Sequence, residues 1–470
     1  MGKLTILRRG KREEVSFEGT PLLSNLLAEK GYFVPHPCGG RGTCGKCTVL
    51  YNGKSVLACR TALSGDGEVI LPDAEEISSV TGAGETGKLT ENLCLCLDIG
   101  TTTLALALVS LDEGAVIRTE TCPNPQRAFG ADVISRIDYC MKNGVGMLQK
   151  VLLQRVEELT RRMLLSFGLS KVERMYVAGN TTMLHLFFGV DCSSLGVSPY
   201  TPKFLAPRQS EGEDLGLTCV GEVLSLPGIS AFVGADIVSG IHCVGLPEEG
   251  KWRILLDLGT NAEIALFSRD RILCTAAAAG PCFEGANISC GMSASEGAVC
   301  AVESDGSCTV IGGGEARGLC ATGLIDAIAE AVRREDIDET GYLEEDPLPI
   351  CGTVSLQGKD VREFQLAKSA ICAGLECLVE RANLSWDDVD AFYIAGGFSA
   401  GLKVDNAAFL GLFAKELAPK AVPVNNASLQ GAVKFACRPK EFRLPLDNAE
   451  YADLSADPRF SELFMEYMMF

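Results

Sequence analysis

The spacing of apolar residues changes twice along the chain. Leu4-Thr5-Ile6-Leu7 and Glu14-Val15-Ser16-Phe17 alternate with the period of two that predicts half-buried strands, and residues 21–30 read as a helix that stops at Gly31. Thr48-Val49-Leu50-Tyr51 and Ser55-Val56-Leu57-Ala58-Cys59 are separated by Asn52-Gly53, the strongest short hairpin signal, so the second arm folds Cys59 back toward the segment before Thr48. Residues 64–92 are rich in Gly, Asp, Glu, Ser and Thr, apart from a short strand at Val69-Ile70-Leu71. From Leu93 the runs become those of buried strands, at 93–98 and 103–110. A helical stretch over 134–167, broken near 144–146, and a strand at 175–178 follow. Residues 252–258 restart the order, with strands at 262–267 and 271–276 and a late buried strand at 391–395, so two similar halves are implied. The expected organisation is α/β. A small domain over 1–75 and a linker over 76–92 precede a large domain over 93–470, whose halves cover about 93–250 and 251–440 before a C-terminal tail.

A length of 470 residues accommodates both domains, each with its own core. The formal net charge of −19 opposes binding to a nucleic-acid backbone, and the one basic cluster, Arg8-Arg9-Gly10-Lys11-Arg12, reads as a strand end and turn. The first residues hold no apolar stretch of signal-peptide type, and no run approaches the roughly 18 apolar residues that span a bilayer. A cytoplasmic protein with no membrane or nucleic-acid partner is expected. Twenty-one cysteines in a chain this long fit a reducing cytosol rather than a disulfide framework. Most of them lie in apolar stretches such as Leu93-Cys94-Leu95-Cys96, where a free thiol behaves as a small hydrophobe. Cys274, Cys282, Cys290, Cys300 and Cys308 recur at similar intervals but form no CxxC or Cys/His pair.

Four cysteines differ from the rest. Cys38, Cys44 and Cys47 are separated by five and two residues, and Cys59 follows after eleven more. The loop Pro37-Cys38-Gly39-Gly40-Arg41-Gly42-Thr43-Cys44-Gly45-Lys46-Cys47 has glycines where backbone must turn sharply beside a metal core. Structural zinc is the alternative. Over about residues 1–75 the segment resembles the ferredoxin superfamily, although its first gap has five residues where the plant pattern has four. That resemblance implies a β-grasp domain with a [2Fe–2S] cluster on Cys38, Cys44, Cys47 and Cys59.

Farther on, Asp98-Ile99-Gly100-Thr101-Thr102-Thr103 and Asp257-Leu258-Gly259-Thr260-Asn261 each place a carboxylate at a strand end, followed by a Gly/Thr turn. Such turns offer backbone N–H groups and hydroxyls to phosphate oxygens, and glycine leaves room for the phosphate. One copy is weak evidence, but two copies, each opening a half, are much stronger. Asp98 and Asp257 would face each other across a cleft, one holding Mg²⁺ or its waters and the other orienting the attacking water. In Tyr393-Ile394-Ala395-Gly396-Gly397-Phe398-Ser399, a strand ends in a glycine pair against which adenine or ribose could lie. Gly82-Ala83-Gly84-Glu85-Thr86-Gly87-Lys88-Leu89 is a decoy, because Leu89 stands where a phosphate loop needs Ser or Thr.

The order of these three motifs resembles the actin-like ATPase superfamily of actin, sugar kinases and acetate kinase, which implies a duplicated RNase H-like domain. Asn425-Asn426-Ala427-Ser428-Leu429-Gln430-Gly431-Ala432 resembles its closing hinge helix. Further stretches are distinctive: Ala178-Gly179-Asn180-Thr181-Thr182-Met183; Val233-Gly234-Ala235-Asp236-Ile237, which makes Asp236 a third candidate carboxylate; and residues 280–298. With the cysteine domain they resemble the reductive activators of corrinoid proteins. That family implies ATP and Mg²⁺ as cofactors, hydrolysis coupled to one-electron reduction of Co(II) corrinoid to Co(I), and a role in anaerobic one-carbon metabolism. The implied partners are a corrinoid iron–sulfur protein or the corrinoid component of a methyltransferase, a low-potential electron donor, and a second copy in a homodimer. A loop over Ser289–Glu296 is expected to face the partner. With about thirty residues between cluster and ATPase, a short form without a middle domain is expected. The rival readings are an activator of 2-hydroxyacyl-CoA dehydratase type and a kinase or regulatory binding protein with a fused redox sensor.

Overall fold

The computed structural model describes residues 2–8, 10–32, 34, 42, 47–71, 86–259 and 261–470. The contacts divide the chain into two units, one of residues 1–236 and 432–439, the other of 237–431 and 440–470.

In the first unit, strands β1 (Gly2–Arg8) and β2 (Lys11–Phe17), helix α1 (Leu23–Glu29) and strands β3 (Thr48–Tyr51), β4 (Lys54–Leu57) and β5 (Gly67–Ile70) form a five-stranded sheet of order β2-β1-β5-β3-β4. β1 and β5 run parallel at its centre. Alternation sends Leu4, Ile6, Val15, Phe17, Val49 and Val69 into one core with Leu23, Leu26 and Leu27 of α1, the β-grasp arrangement. The Asn52-Gly53 turn has φ of 48° and 74°, which a two-residue turn matched to the strand twist requires. Asn52 Oδ1 also accepts the Glu68 N–H at 2.7 Å, fixing β5 beside the hairpin.

The same unit continues with β6 (Leu93–Ile99), β7 (Thr103–Ser110), β8 (Ala115–Pro123), α2 (Val133–Asn143), α3 (Gly146–Ser166), β9 (Val172–Gly179), α4 (Thr181–Phe187), β10 (Gln209–Glu211), β11 (Val220–Ser225) and the start of α5 (Ala235–Val244). Its sheet has the order β10-β11-β9-β6-β7-β8: β6, β7 and β8 form an antiparallel meander, and β9 and β11 run parallel to β6. The break expected in the long helix is Gly144, which caps α2 at φ 76°. β8 has no counterpart among the expected strands, because its buried Glu120 masks the alternation. That carboxylate is held by Arg162 at 2.6 Å.

The second unit repeats the design with β12 (Trp252–Leu258), β13 (Ala262–Phe267), β14 (Ile272–Ala277), and then, after an insertion, two further strands of the same sheet. The insertion comprises β15 (Ala298–Val302), β16 (Cys308–Val310), β17 (Gly318–Leu319), α6 (Ala321–Arg333), β18 (Leu348–Cys351), β19 (Val354–Leu356) and α7 (Gly358–Arg381). β20 (Val389–Ala395), α8 (Val404–Phe409), β21 (Ala421–Pro423), α9 (Ala427–Cys437, whose end belongs to the first unit), β22 (Ala449–Tyr451) and α10 (Pro458–Glu466) complete the chain. The sheet order is β21-β20-β12-β13-β14-β22, again a meander with two strands parallel to its first. Two RNase H-like sheets in succession establish the expected duplication. Among the described residues no helix is long and apolar enough to cross a membrane.

Candidate functional site

The hairpin brings two of the four cysteines together. Ala58 N–H bonds to Cys47 O at 3.0 Å, and Cys47 Sγ and Cys59 Sγ lie 3.3 Å apart, both buried. A disulfide would need about 2.05 Å. Two thiolates on one tetrahedral metal with bonds of about 2.3 Å sit roughly 3.8 Å apart, so the pair fits a shared metal after a small opening. Gly42 turns at φ 76° in the cysteine loop, and Cys38 and Cys44 lie outside the described residues. Cys274 and Cys282 are buried, and burial pushes their thiols up to about 12.

Asp98 is half-buried at the carboxyl end of β6, with Gly100-Thr101-Thr102 turning the chain into β7. A Cβ on Gly100 would come within 2.6 Å of Thr103 O, so only glycine permits this turn. All three turn carbonyls are held from behind: Asn124 Nδ2 donates to Gly100 O at 2.8 Å, Arg136 Nη2 to Thr101 O at 2.5 Å, and Asn124 N to Thr102 O at 2.9 Å. Alongside, β9 ends at Gly179 (φ 156°), where a Cβ would lie 2.9 Å from Ile99 O. Asn180 then caps α4, accepting the Thr182 N–H at 3.0 Å. Gly234 packs onto this corner, its place for a Cβ only 2.5 Å from Thr181 N and 2.7 Å from Gly179 O, and so sets Asp236 in the first turn of α5. Asp98, the turn, Asn180 and Asp236 are thus grouped around the carboxyl ends of β6 and β9. In open α/β sheets that edge is where ligands bind.

In the second unit Asp257 is half-buried at the corresponding end of β12, paired in register with Ala395 of β20. Gly259 N–H bonds to Asn261 O at 3.1 Å, and Thr260 lies outside the described residues. Gly396 has φ 113° and lies against Leu258 O so closely that a Cβ would overlap it, whereas Gly397 faces open space. Phe398 stacks on Phe283 with ring centroids 5.4 Å apart. The buried Ser399 hydroxyl lies 3.0 Å from both Gly396 O and Val424 O, tying the glycine pair to the end of β21. Asn426 Oδ1 accepts the Leu429 N–H at 2.8 Å and starts α9. Ser289, expected in a partner-facing loop, gives both its N–H (2.8 Å) and its hydroxyl (2.9 Å) to the fully buried Asp360 of α7. That serine latches its loop to the unit, while Ser293, Ala294 and Glu296 are exposed.

Three family models match: the 2Fe-2S iron-sulfur cluster binding domain over residues 5–70, the RACo middle region over 93–249, and the C-terminal domain of RACo, the ASKHA domain, over 251–470. The corrinoid activation enzyme RamQ of Eubacterium limosum is 30% identical over 419 residues, covering 80% of this chain and 70% of that protein. The chain belongs to the reductive activators of corrinoid proteins. A second member, the [Co(II) methylated amine-specific corrinoid protein] reductase of Methanosarcina barkeri, is 29% identical over 376 residues, 71% of this chain and 68% of that one. The solved reductive activator for corrinoid, iron-sulfur protein superposes with a TM-score of 0.72 at 26% identity, covering 99% of this chain and 98% of the other. These matches correct one expectation. The chain is not a short form lacking a middle domain, since residues 93–249 match the family's middle region. The middle region is the first RNase H-like sheet itself, so no extra length between linker and ATPase is needed to contain it.

Asn124 and Arg136 were not legible as site residues. Each sits outside the Gly/Thr motif, and only the fold brings them behind it.

Proposed function

We propose that this activator reduces the Co(II) form of a corrinoid protein's cofactor to Co(I), one electron per event, at the expense of ATP hydrolysis with Mg²⁺. The observation that carries this reading is the presence, on one chain of this family, of a buried thiol pair 3.3 Å apart and two carboxylate-plus-turn motifs, each opening an RNase H-like sheet. Cys38, Cys44, Cys47 and Cys59 would hold the [2Fe–2S] group, which supplies a one-electron donor near about −400 mV when of plant type. Reduction of Co(II) lies at lower potential. A gap of about 200 mV corresponds to roughly 5 kcal/mol, so coupling to ATP is required.

In this reading the turns at residues 100–103 and 259–261 bind phosphate oxygens. Asp98 and Asp257 hold Mg²⁺ or orient the attacking water, with Asp236 the third carboxylate, and Gly396, Gly397 and Phe398 receive adenine or ribose. ATP-driven change in the large domain favours a corrinoid protein whose cobalt has lost a ligand that stabilises Co(II), which narrows the potential gap the electron must cross. A corrinoid iron–sulfur protein or methyltransferase component is the proposed partner, a low-potential carrier the proposed electron source, a homodimer the proposed assembly and the cytoplasm the proposed location.

The test uses chemically reduced protein and a Co(II) corrinoid protein, with the Co(I) absorbance band followed over time. Wild type should form Co(I) only with Mg·ATP. Asp257→Ala should retain the reduced-cluster EPR signal yet stall, and Cys59→Ala should hydrolyse ATP and deliver no electron. Equal Co(I) yield with and without ATP refutes the coupling.

A further inference from the structure

We infer that Asn124 and Arg136 are positioning residues that aim the backbone N–H groups of residues 101–103 at the phosphates of the bound nucleotide. The inference deepens the reading that this turn meets ATP, and rests on it.

In a trans peptide the C=O of one residue and the N–H of the next point in opposite directions. The carbonyls of Gly100, Thr101 and Thr102 all receive hydrogen bonds from residues 124 and 136. The N–H groups of residues 101, 102 and 103 therefore point away from that support. Successive N–H groups turned to one side make an anion-binding concavity, and here the side chains behind the turn set its direction.

Both supports are built to hold still. Asn124 is fully buried with each polar group engaged: its side-chain amide donates to Gly100 O, its backbone N–H donates to Thr102 O, and its Oδ1 accepts the Gln126 N–H at 2.9 Å. Arg136, on α2, is also fully buried. Besides Thr101 O it bonds Gly130 O through Nε at 3.0 Å, and its Nη1 reaches Gln126 Oε1 at 3.4 Å and Met183 Sδ at 3.0 Å. A planar guanidinium can serve these separate segments at once, and a lysine ammonium on a flexible stem cannot. Its fixed positive charge also lies behind a turn that, in this reading, receives the most negative part of the ligand, inside protein where screening is weak.

A residue that merely stabilises the fold would weaken every ligand alike, whereas a residue that aims these N–H groups acts on the phosphates alone. The experiment compares binding of Mg·ATP and of adenosine to the full chain with its cluster, for wild type, Asn124→Asp and Arg136→Lys. Asn124→Asp keeps the shape but replaces the donor to Gly100 O by a carboxylate oxygen that repels it. Each variant should lose about tenfold or more in the ratio of ATP to adenosine affinity, with adenosine affinity and the cluster absorption spectrum retained. An unchanged ratio, or equal loss for both ligands, overturns the inference. Wild type that binds adenosine and ATP equally overturns the phosphate reading of the turn itself. Should either variant fail to fold, hydrogen exchange on wild type decides: Mg·ATP should slow exchange at the amides of residues 101–103 and adenosine should not, and equal exchange with both ligands overturns the inference.

Discussion

Two adjacent glycines separate backbone strain from ligand contact. Gly396 has φ 113°, in a region that costs a residue with a Cβ about 1–2 kcal/mol, and the added atom would also overlap Leu258 O. The overlap is with main chain of β12, so relief requires a shift of β20 against β12. Asp257 lies in that pairing, directly opposite Ala395. Gly396→Ala should therefore destabilise the second unit by about 2–4 kcal/mol, combining strain with overpacking. It should also lower ATP turnover by on the order of a hundredfold if Asp257 is displaced by as much as about 1 Å. Gly397→Ala differs, since a Cβ there meets nothing within 4 Å and the position has no left-handed φ. Its folding stability should stay within about 0.5 kcal/mol of wild type, as for an unconstrained surface change. Nucleotide affinity should still fall, because the methyl group enters the space assigned to adenine or ribose. Urea unfolding, calorimetric ATP binding and phosphate release on both variants test the pair. Wild-type ATP binding and turnover in Gly397→Ala refutes contact between the glycine pair and nucleotide, and wild-type stability in Gly396→Ala refutes the strain argument.

Further outcomes follow from the same geometry. Cys47→Ala should purify without the red-brown colour, against two irons per chain in wild type. Iron analysis decides, and full iron in the variant removes the cluster assignment. Mg·ATP should raise the Tm of wild type and leave that of Asp98→Asn unchanged; equal protection of both would place Asp98 away from the nucleotide. Lys368 is buried on α7, where its ammonium donates to Met469 O, and burial lowers its pKa from 10.5 to about 8. Between these values the unfolded chain binds the extra proton, so this group's contribution to stability rises with pH, by about 2 kcal/mol from pH 7 to 9.5. Over that range wild type should gain about this much relative to Lys368→Met in urea unfolding, and a difference that stays flat refutes the lowered pKa.

What could be read in one dimension is what depends on neighbours along the chain. The Asn52-Gly53 turn, the alternation of β1 and β2, the stop of α2 at Gly144 and the motifs after β6, β12 and β20 are local, because dihedral preference and side-chain period act over a few residues. The repeat from 93–98 to 252–258 was legible for the same reason, and it conveyed the duplicated sheet. The middle region is not legible as a separate part because nothing in its sequence marks it as more than the first copy of that repeat. The identity of the residues behind the phosphate turn was decided only in three dimensions. Asn124 follows a strand hidden by a buried Glu120, and Arg136 lies on a helix where a charge normally signals a solvated face. Their role arises because the turn's three carbonyls must be satisfied away from water, and the partners come from wherever packing brings a donor within reach.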